Sequence, residues 1–130
     1  MPTIVPFYAS LLALLYFVLA VRVIRIRRKE RIAIGNGNNV ALRRAIRVHA
    51  NFAEYIPLAL ILLTFVELQQ SSPLLVHGLG LALLVGRIVH AYGVSQEKEN
   101  YRLRTAGMLL TFGTIAGAAL RLIGAFVFGF

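Results

Sequence analysis

Between Arg47 and Pro57 the chain reads Arg-Val-His-Ala-Asn-Phe-Ala-Glu-Tyr-Ile-Pro, and it then continues into an uncharged stretch from Leu58 to Leu63. An ionisable side chain placed in hydrocarbon costs roughly 2.5–3.5 kcal/mol on insertion scales. Groups of that kind are retained where they pair, face a bundle interior or line a polar pocket. At 100° per residue Arg47, Asn51, Glu54 and Tyr55 fall at roughly 0°, 40°, −20° and 80°. They share one stripe, which Leu58 and Leu62 continue into the apolar half. His49 lies about 200° round from Arg47 and points elsewhere, toward another element or a neighbouring subunit. Further along, Arg87 and His90 sit one turn apart on a common face, and Arg102 and Arg104 open the last helical stretch at the same depth. The pattern predicts a cationic cavity near the cytoplasmic membrane boundary, floored by Glu54, Asn51 and Tyr55.

Such a cavity suits a ligand with more negative than positive charge and one amine for Glu54. Guanidinium groups offer forked donors to carboxylates. Asn presents a donor and an acceptor, and Tyr a hydroxyl at the polar end of a ring. A small peptide or amino-acid-like anion meets these terms. A second reading stands beside it: Glu54 neutralises Arg87 or Arg47, and Asn51 and Tyr55 act as hydrogen-bond glue between helices.

The elements that must position these residues follow from hydropathy. The chain has 130 residues, 58% of them hydrophobic and 15% charged, with a mean hydropathy of +0.75. A soluble domain carries about 25% charged residues. The charges are also clumped, leaving nearly uncharged runs close to the roughly 17–25 residues that cross a bilayer. The predicted fold is all-α: an integral membrane four-helix bundle, one domain over 1–130, with spans at about 4–26, 40–69, 74–94 and 102–127. Gly35-Asn-Gly-Asn-Asn39 is a turn whose residues tolerate positive φ, and Asn38 or Asn39 can cap the second helix. Pro57 removes a backbone hydrogen bond inside that helix and predicts a kink near Ala53. Ser71-Ser-Pro73 makes the far-side turn. Gly113 and Gly117 give a small-xxx-small pattern that fits close helix packing, within the bundle or between subunits.

The net charge of +9 is arranged topologically. Arg22, Arg25, Arg27, Arg28, Lys29 and Arg31 follow the first apolar run, the reverse of a secretory signal, whose positive charge comes first. Arg43, Arg44, Arg47, Lys98, Arg102 and Arg104 fall on the same side. By the positive-inside rule that side is cytoplasmic, and both termini face away from it. Basic residues at a membrane surface also attract anionic headgroups, by about 1 kcal/mol each. No recognition module or aromatic platform for nucleic acid is present. With no cysteine and no aspartate, the chain has no thiolate of its own and cannot form a Ser-His-Asp arrangement. His49, His77 and His90 lack metal-ligand spacing, so no metal site is expected. Arg121 reads as a snorkelling or internally paired cation, with Glu67 as a candidate partner.

The segment Arg47-x-His49-x-Asn51-x-x-Glu54-Tyr55-x-Pro57 resembles the helix II motif of the membrane-associated proteins in eicosanoid and glutathione metabolism, the MAPEG family. Arg87-Ile-Val-His90-Ala-Tyr92-Gly93 and Arg104-Thr-Ala-Gly107 are similar to its helix III and helix IV motifs. The likeness covers nearly the whole chain and is greatest to the small bacterial inner-membrane branch. It implies a homotrimer in the inner membrane, with glutathione as cofactor between adjacent subunits near the cytoplasmic side. Arg47 and Arg87 would then hold its carboxylates, Glu54 its amino group, and Asn51, His49 and Tyr55 its backbone. His90 belongs to the same motif face as Arg87. Arg104, with Arg102 as the alternative, would sit by the sulfur and favour the thiolate. A free thiol titrates at about 8.5, and an adjacent guanidinium lowers that value. Eukaryotic members carry a tyrosine where Val94 stands, so its contact is lost here or comes from Tyr92 or Tyr101.

The implied activity is that of a glutathione-dependent transferase or peroxidase whose apolar electrophile or hydroperoxide arrives from the bilayer. The alternative is a non-enzymatic protein of the same fold that binds an anionic ligand or serves as an assembly partner. A transporter or channel fits less well, because the far half of the bundle lacks polar groups.

Overall fold

The computed structural model describes residues 1–129, which form four helices and, among those residues, no strand. These are α1 (Ile4–Glu30), α2 (Val40–Leu68), α3 (Pro73–Ser95) and α4 (Tyr101–Phe128). Each is long and apolar enough to cross a bilayer. The connections are short, so successive helices run antiparallel. α2 and α3 form the central pair, and α1 and α4 flank it without packing on one another.

Local chemistry sets the helix ends. α1 runs past residue 26 but stops at Glu30, short of the Gly35 break. Arg31 terminates it in the left-handed region at φ 55°. Arg27 holds the chain there: its carbonyl accepts from the Ile32 amide at 3.0 Å. Its guanidinium donates to the carbonyls of Ile32, Ala33 and Gly35 at 3.4, 3.4 and 2.8 Å. Asn39 caps α2 by accepting from the Leu42 amide at 2.9 Å. Asn100 caps α4 in the same way from Leu103 at 3.1 Å. Pro57 lies on an exposed position of α2, and the helix continues unbroken through it from Val40 to Leu68.

The buried positions of α2 are Leu42, Ala45, Val48, Phe52, Ile56, Ala59, Leu63 and Val66, spaced by threes and fours. That single stripe faces Leu12 and Leu19 of α1, Leu83 of α3 and Ala118 of α4, all in the same core. In lipid such packing rests on close contact and polar bridges rather than on water exclusion. The closest approach is between α3 and α4. A Cβ added to Gly107 would stand 2.6 Å from the Gly86 carbonyl and from the backbone nitrogen of His90. One added to Gly93 would stand 2.9 Å from the Arg104 nitrogen. Gly113, by contrast, faces open space, and Gly117 meets only Leu79. Within the chain, the close α3–α4 packing therefore belongs to Gly86, Gly93 and Gly107, not to Gly113 and Gly117.

At the end bearing few charges, the Glu67 carboxylate accepts from the amides of Thr3, Ile4 and Val5 at 2.6, 2.7 and 2.8 Å. It caps the first turn of α1, whose own N-cap side chain makes no such bond. Glu67, singled out in the sequence as a candidate partner for Arg121, thus also serves backbone amides. The Tyr8 hydroxyl lies 3.2 Å from His77 Nδ1 near the same end.

Candidate functional site

At the basic end a cavity of about 290 Å³ opens between the start of α2, the end of α3 and the start of α4. Its volume lies near the lower bound of the roughly 300–1,000 Å³ typical of small-ligand sites. Four of the residues expected at a site line it: Arg47, Asn51, His90 and Arg104. Arg43, Arg44, Val94 and Glu99 complete the lining. The two additional arginines stand one turn before Arg47 on the same helix face, at i−4 and i−3, and that spacing was legible in the sequence. Val94 follows His90 by one turn on α3 in the same manner.

Glu99 carries no periodic signal because it lies in the α3–α4 connection. Asn100 accounts for its position: its backbone N–H donates to the Gly93 carbonyl at 3.1 Å, folding the connection back over the end of α3. Glu99 Oε1 then receives Arg104 Nη1 at 2.9 Å, and Oε2 lies 3.9 Å from Arg44 Nη1. Its side chain is 13% exposed, against 51% for Arg104. The carboxylate inside the cavity is therefore Glu99, not Glu54. Glu54 is on the outer rim, 3.9 Å from Arg47 and half exposed.

Beneath the cavity Arg87 is 1% exposed and is the largest fully buried side chain. It donates from Nη2 to Asn51 Oδ1 at 2.6 Å and from Nη1 to Thr111 Oγ1 at 3.4 Å, bridging α3 to α2 and α4. Its Nη2 lies 3.4 Å from His90 Nδ1, and its guanidinium carbon stands 5.7 Å from the centre of the Phe52 ring. Among the described residues no carboxylate pairs with it. Its Nε is buried without an acceptor, as is that of Arg44. A guanidinium only donates, so Arg87 turns N–H groups toward the Asn51 oxygen and His90 Nδ1. Asn51 thereby keeps its amide N–H groups as donors for the cavity that it and His90 line.

Arg87 is thus a support behind the cavity wall rather than a lining residue. Other expected site residues stand apart as well. His49 stacks on Tyr16 of α1, with ring centres 4.7 Å apart, and so faces a helix of the same chain. Tyr55 meets Phe112 of α4 edge-on at 5.3 Å. Arg102 is exposed and outside the lining, which leaves Arg104 as the helix IV guanidinium at the cavity. Tyr92 and Tyr101 are exposed and outside the lining too. Among the described residues no cluster of three or more His, Cys, Asp or Glu could hold a metal.

The donor set can bind an anion. Arg43, Arg44, Arg47 and Arg104 surround the space with Glu99 as the acid facing them, and two orphaned guanidinium nitrogens lie at or below its wall. A ligand bearing more than one carboxylate would meet the guanidinium groups of Arg43, Arg44, Arg47 and Arg104 that line the space.

Residues 5–124 match the model of the MAPEG family. The chain is 40% identical over 105 residues to the inner membrane protein YecN of Escherichia coli strain K12, covering 81% of this chain and 79% of that protein. YecN of the O6:H1 strain matches to the same extent. No solved structure matches.

Proposed function

Because the chain belongs to the MAPEG family, we propose that it is a bacterial inner-membrane protein that binds glutathione in the basic cavity for transfer to, or reduction of, an apolar co-substrate from the bilayer. The observation that carries this reading is the surplus of guanidinium over carboxylate in the cavity, four lining arginines against Glu99. Arg43, Arg44 and Arg47 would hold the carboxylates. Glu54, on the rim beside Arg47, is placed for an amine. Asn51 and His90, fixed from behind by Arg87, would donate to peptide carbonyls.

Glutathione, when bound, supplies the thiol that this cysteine-free chain lacks. Arg104 would favour the ionised sulfur through its positive charge. The cavity opens beside α4, whose Leu109, Gly113, Ala116 and Leu120 form an exposed ladder at alternating spacings of four and three. Small residues in such a ladder fit close approach by another helix, and this supports assembly as a homotrimer with the site completed between subunits. The distribution of charge supports a cytoplasmic basic end, with both termini on the other side.

A second reading is favoured by one contact. With Glu99 on Arg104 at 2.9 Å, the guanidinium beside the sulfur is already answered, as in a binder without turnover. Thermal-shift titration with glutathione and an S-alkyl analogue tests binding. Stabilisation that disappears in Arg47→Ala and Arg44→Ala supports it, and no shift in the parent protein rules it out. Conjugation of a chlorinated nitroaromatic and reduction of cumene hydroperoxide then separate enzyme from binder.

A further inference from the structure

α1 outruns the bilayer. Its 27 residues measure about 40 Å, against about 30 Å of hydrocarbon, and the excess is the basic segment after Val21. Two cations there are engaged by the protein itself. Arg22 donates to the Ser95 hydroxyl at the end of α3, and Arg27 holds the loop carbonyls. Arg25, Arg28 and Lys29 take part in no ion pair among the described residues. They lie within about 100° of arc on the helix, at i, i+3 and i+4. The same arc runs back through Val21, Val18 and Leu14. Val18 is 59% exposed, and Phe17 beside it 66%.

Where the apolar and basic parts of this face meet, a groove is lined by Phe17, Val18 and Val21, then by Arg22 and Arg25, with Ile26 one residue beyond. We propose that this groove binds an anionic phospholipid: its phosphate meets the guanidinium groups of Arg22 and Arg25 beneath Arg28 and Lys29, and an acyl chain lies along Phe17, Val18 and Val21. Both halves are needed to specify the occupant. A guanidinium fork matches phosphate oxygens, while the apolar lining stands at the depth of acyl chains, where a soluble anion gains nothing. Glu30, the one acid on α1, falls about 140° round from Arg25 and leaves nothing on this face for a choline or ammonium group.

The test is native mass spectrometry of the full-length protein in neutral detergent. It is titrated with phosphatidylglycerol, with phosphatidylcholine of the same acyl chains, and with inorganic phosphate. Phosphatidylglycerol should bind at least tenfold more tightly than phosphatidylcholine. Each cation removed should reduce that preference about fivefold, so it vanishes in the R25Q/R28Q/K29Q variant, whose changes lie on an exposed helix face. Val18→Trp, which fills the apolar part, should weaken both lipids. Equal affinity for the two lipids, a preference that survives the triple variant, or an unaltered affinity in Val18→Trp would each overturn the proposal. So would displacement of phosphatidylglycerol by phosphate alone, which would mean a headgroup-sized anion site. A preference lost in R43Q/R44Q but kept in R25Q/R28Q/K29Q would move the lipid to the cavity and equally refute it.

Discussion

Glu99 reaches back from the α3–α4 connection to place Oε1 2.9 Å from Arg104 Nη1 inside the basic cavity. The chain thus sets one of its own carboxylates against the guanidinium best placed to steady an anionic ligand. An incoming anion must share Arg104 with it or displace it. Glu99→Gln removes the competing charge and should raise glutathione affinity by up to about fivefold, the range of a single partly exposed ion pair. The gain should shrink in high salt. Calorimetric titration of parent and variant reads it directly, and a loss of affinity would instead identify Glu99 as the partner of the ligand's amine.

Arg87 separates stability from binding. A buried cation facing neutral acceptors incurs a desolvation cost that its hydrogen bonds only partly offset. Losing it relieves that cost, while the Asn51 and Thr111 acceptors lose their donor. Arg87→Met should therefore stay within about 2 kcal/mol of the parent in detergent. It releases Asn51 and His90 from their fixed orientation, so glutathione binding should weaken tenfold or more. A variant that binds normally would show that this support is dispensable.

Glu67 acts at the other end of the bundle. Its carboxylate satisfies three amides at the start of α1, and charged caps of this kind are worth about 1–2 kcal/mol. Glu67→Gln should lower the melting temperature measurably while the glutathione-induced shift keeps its size, because the cavity is on the opposite side of the bundle. A change in ligand response would contradict this separation.

The glycines divide by what surrounds them. Gly107→Ala drives a methyl group to within 2.6 Å of the Gly86 carbonyl and of His90, and overpacking of this severity costs about 1–3 kcal/mol or more. Gly113→Ala meets open space in the subunit and should be neutral, or stabilising by up to about 1 kcal/mol through helix propensity. Thermal denaturation of the two purified variants checks the contrast. A large loss from Gly113→Ala would reveal a tight contact with another chain.

The four spans were legible because hydropathy and charge clumping are strong, local signals. The stop of α1 at Glu30 was not, since it depends on the Arg27 side chain folding back onto carbonyls five to eight residues ahead. The stripe of Arg47 and Asn51 was correctly placed by helical period, and the same period held the information for Arg43 and Arg44. Period alone could not say which part of the stripe faces inward. Glu54 shares an arc with Arg47 but falls on the rim, because Phe52 and Ile56 take the buried side of α2. The family resemblance implied Arg87 as a carboxylate contact, and the helical period placed it on one face with His90, but neither gives its depth beneath the cavity. Its actual depth follows from Gly86 and Gly107, which bring α4 close enough to cover it. Glu99 had no signal of its own, since loop geometry decides where it lands.

The glycine crossing also restricts how the molecule can breathe. With backbone against backbone at Gly86 and Gly107, that crossing of α3 and α4 leaves no seam of side chains for an oily reactant to prise open. Those two helices must travel as a single plank, and any doorway from the membrane has to form along one of its edges.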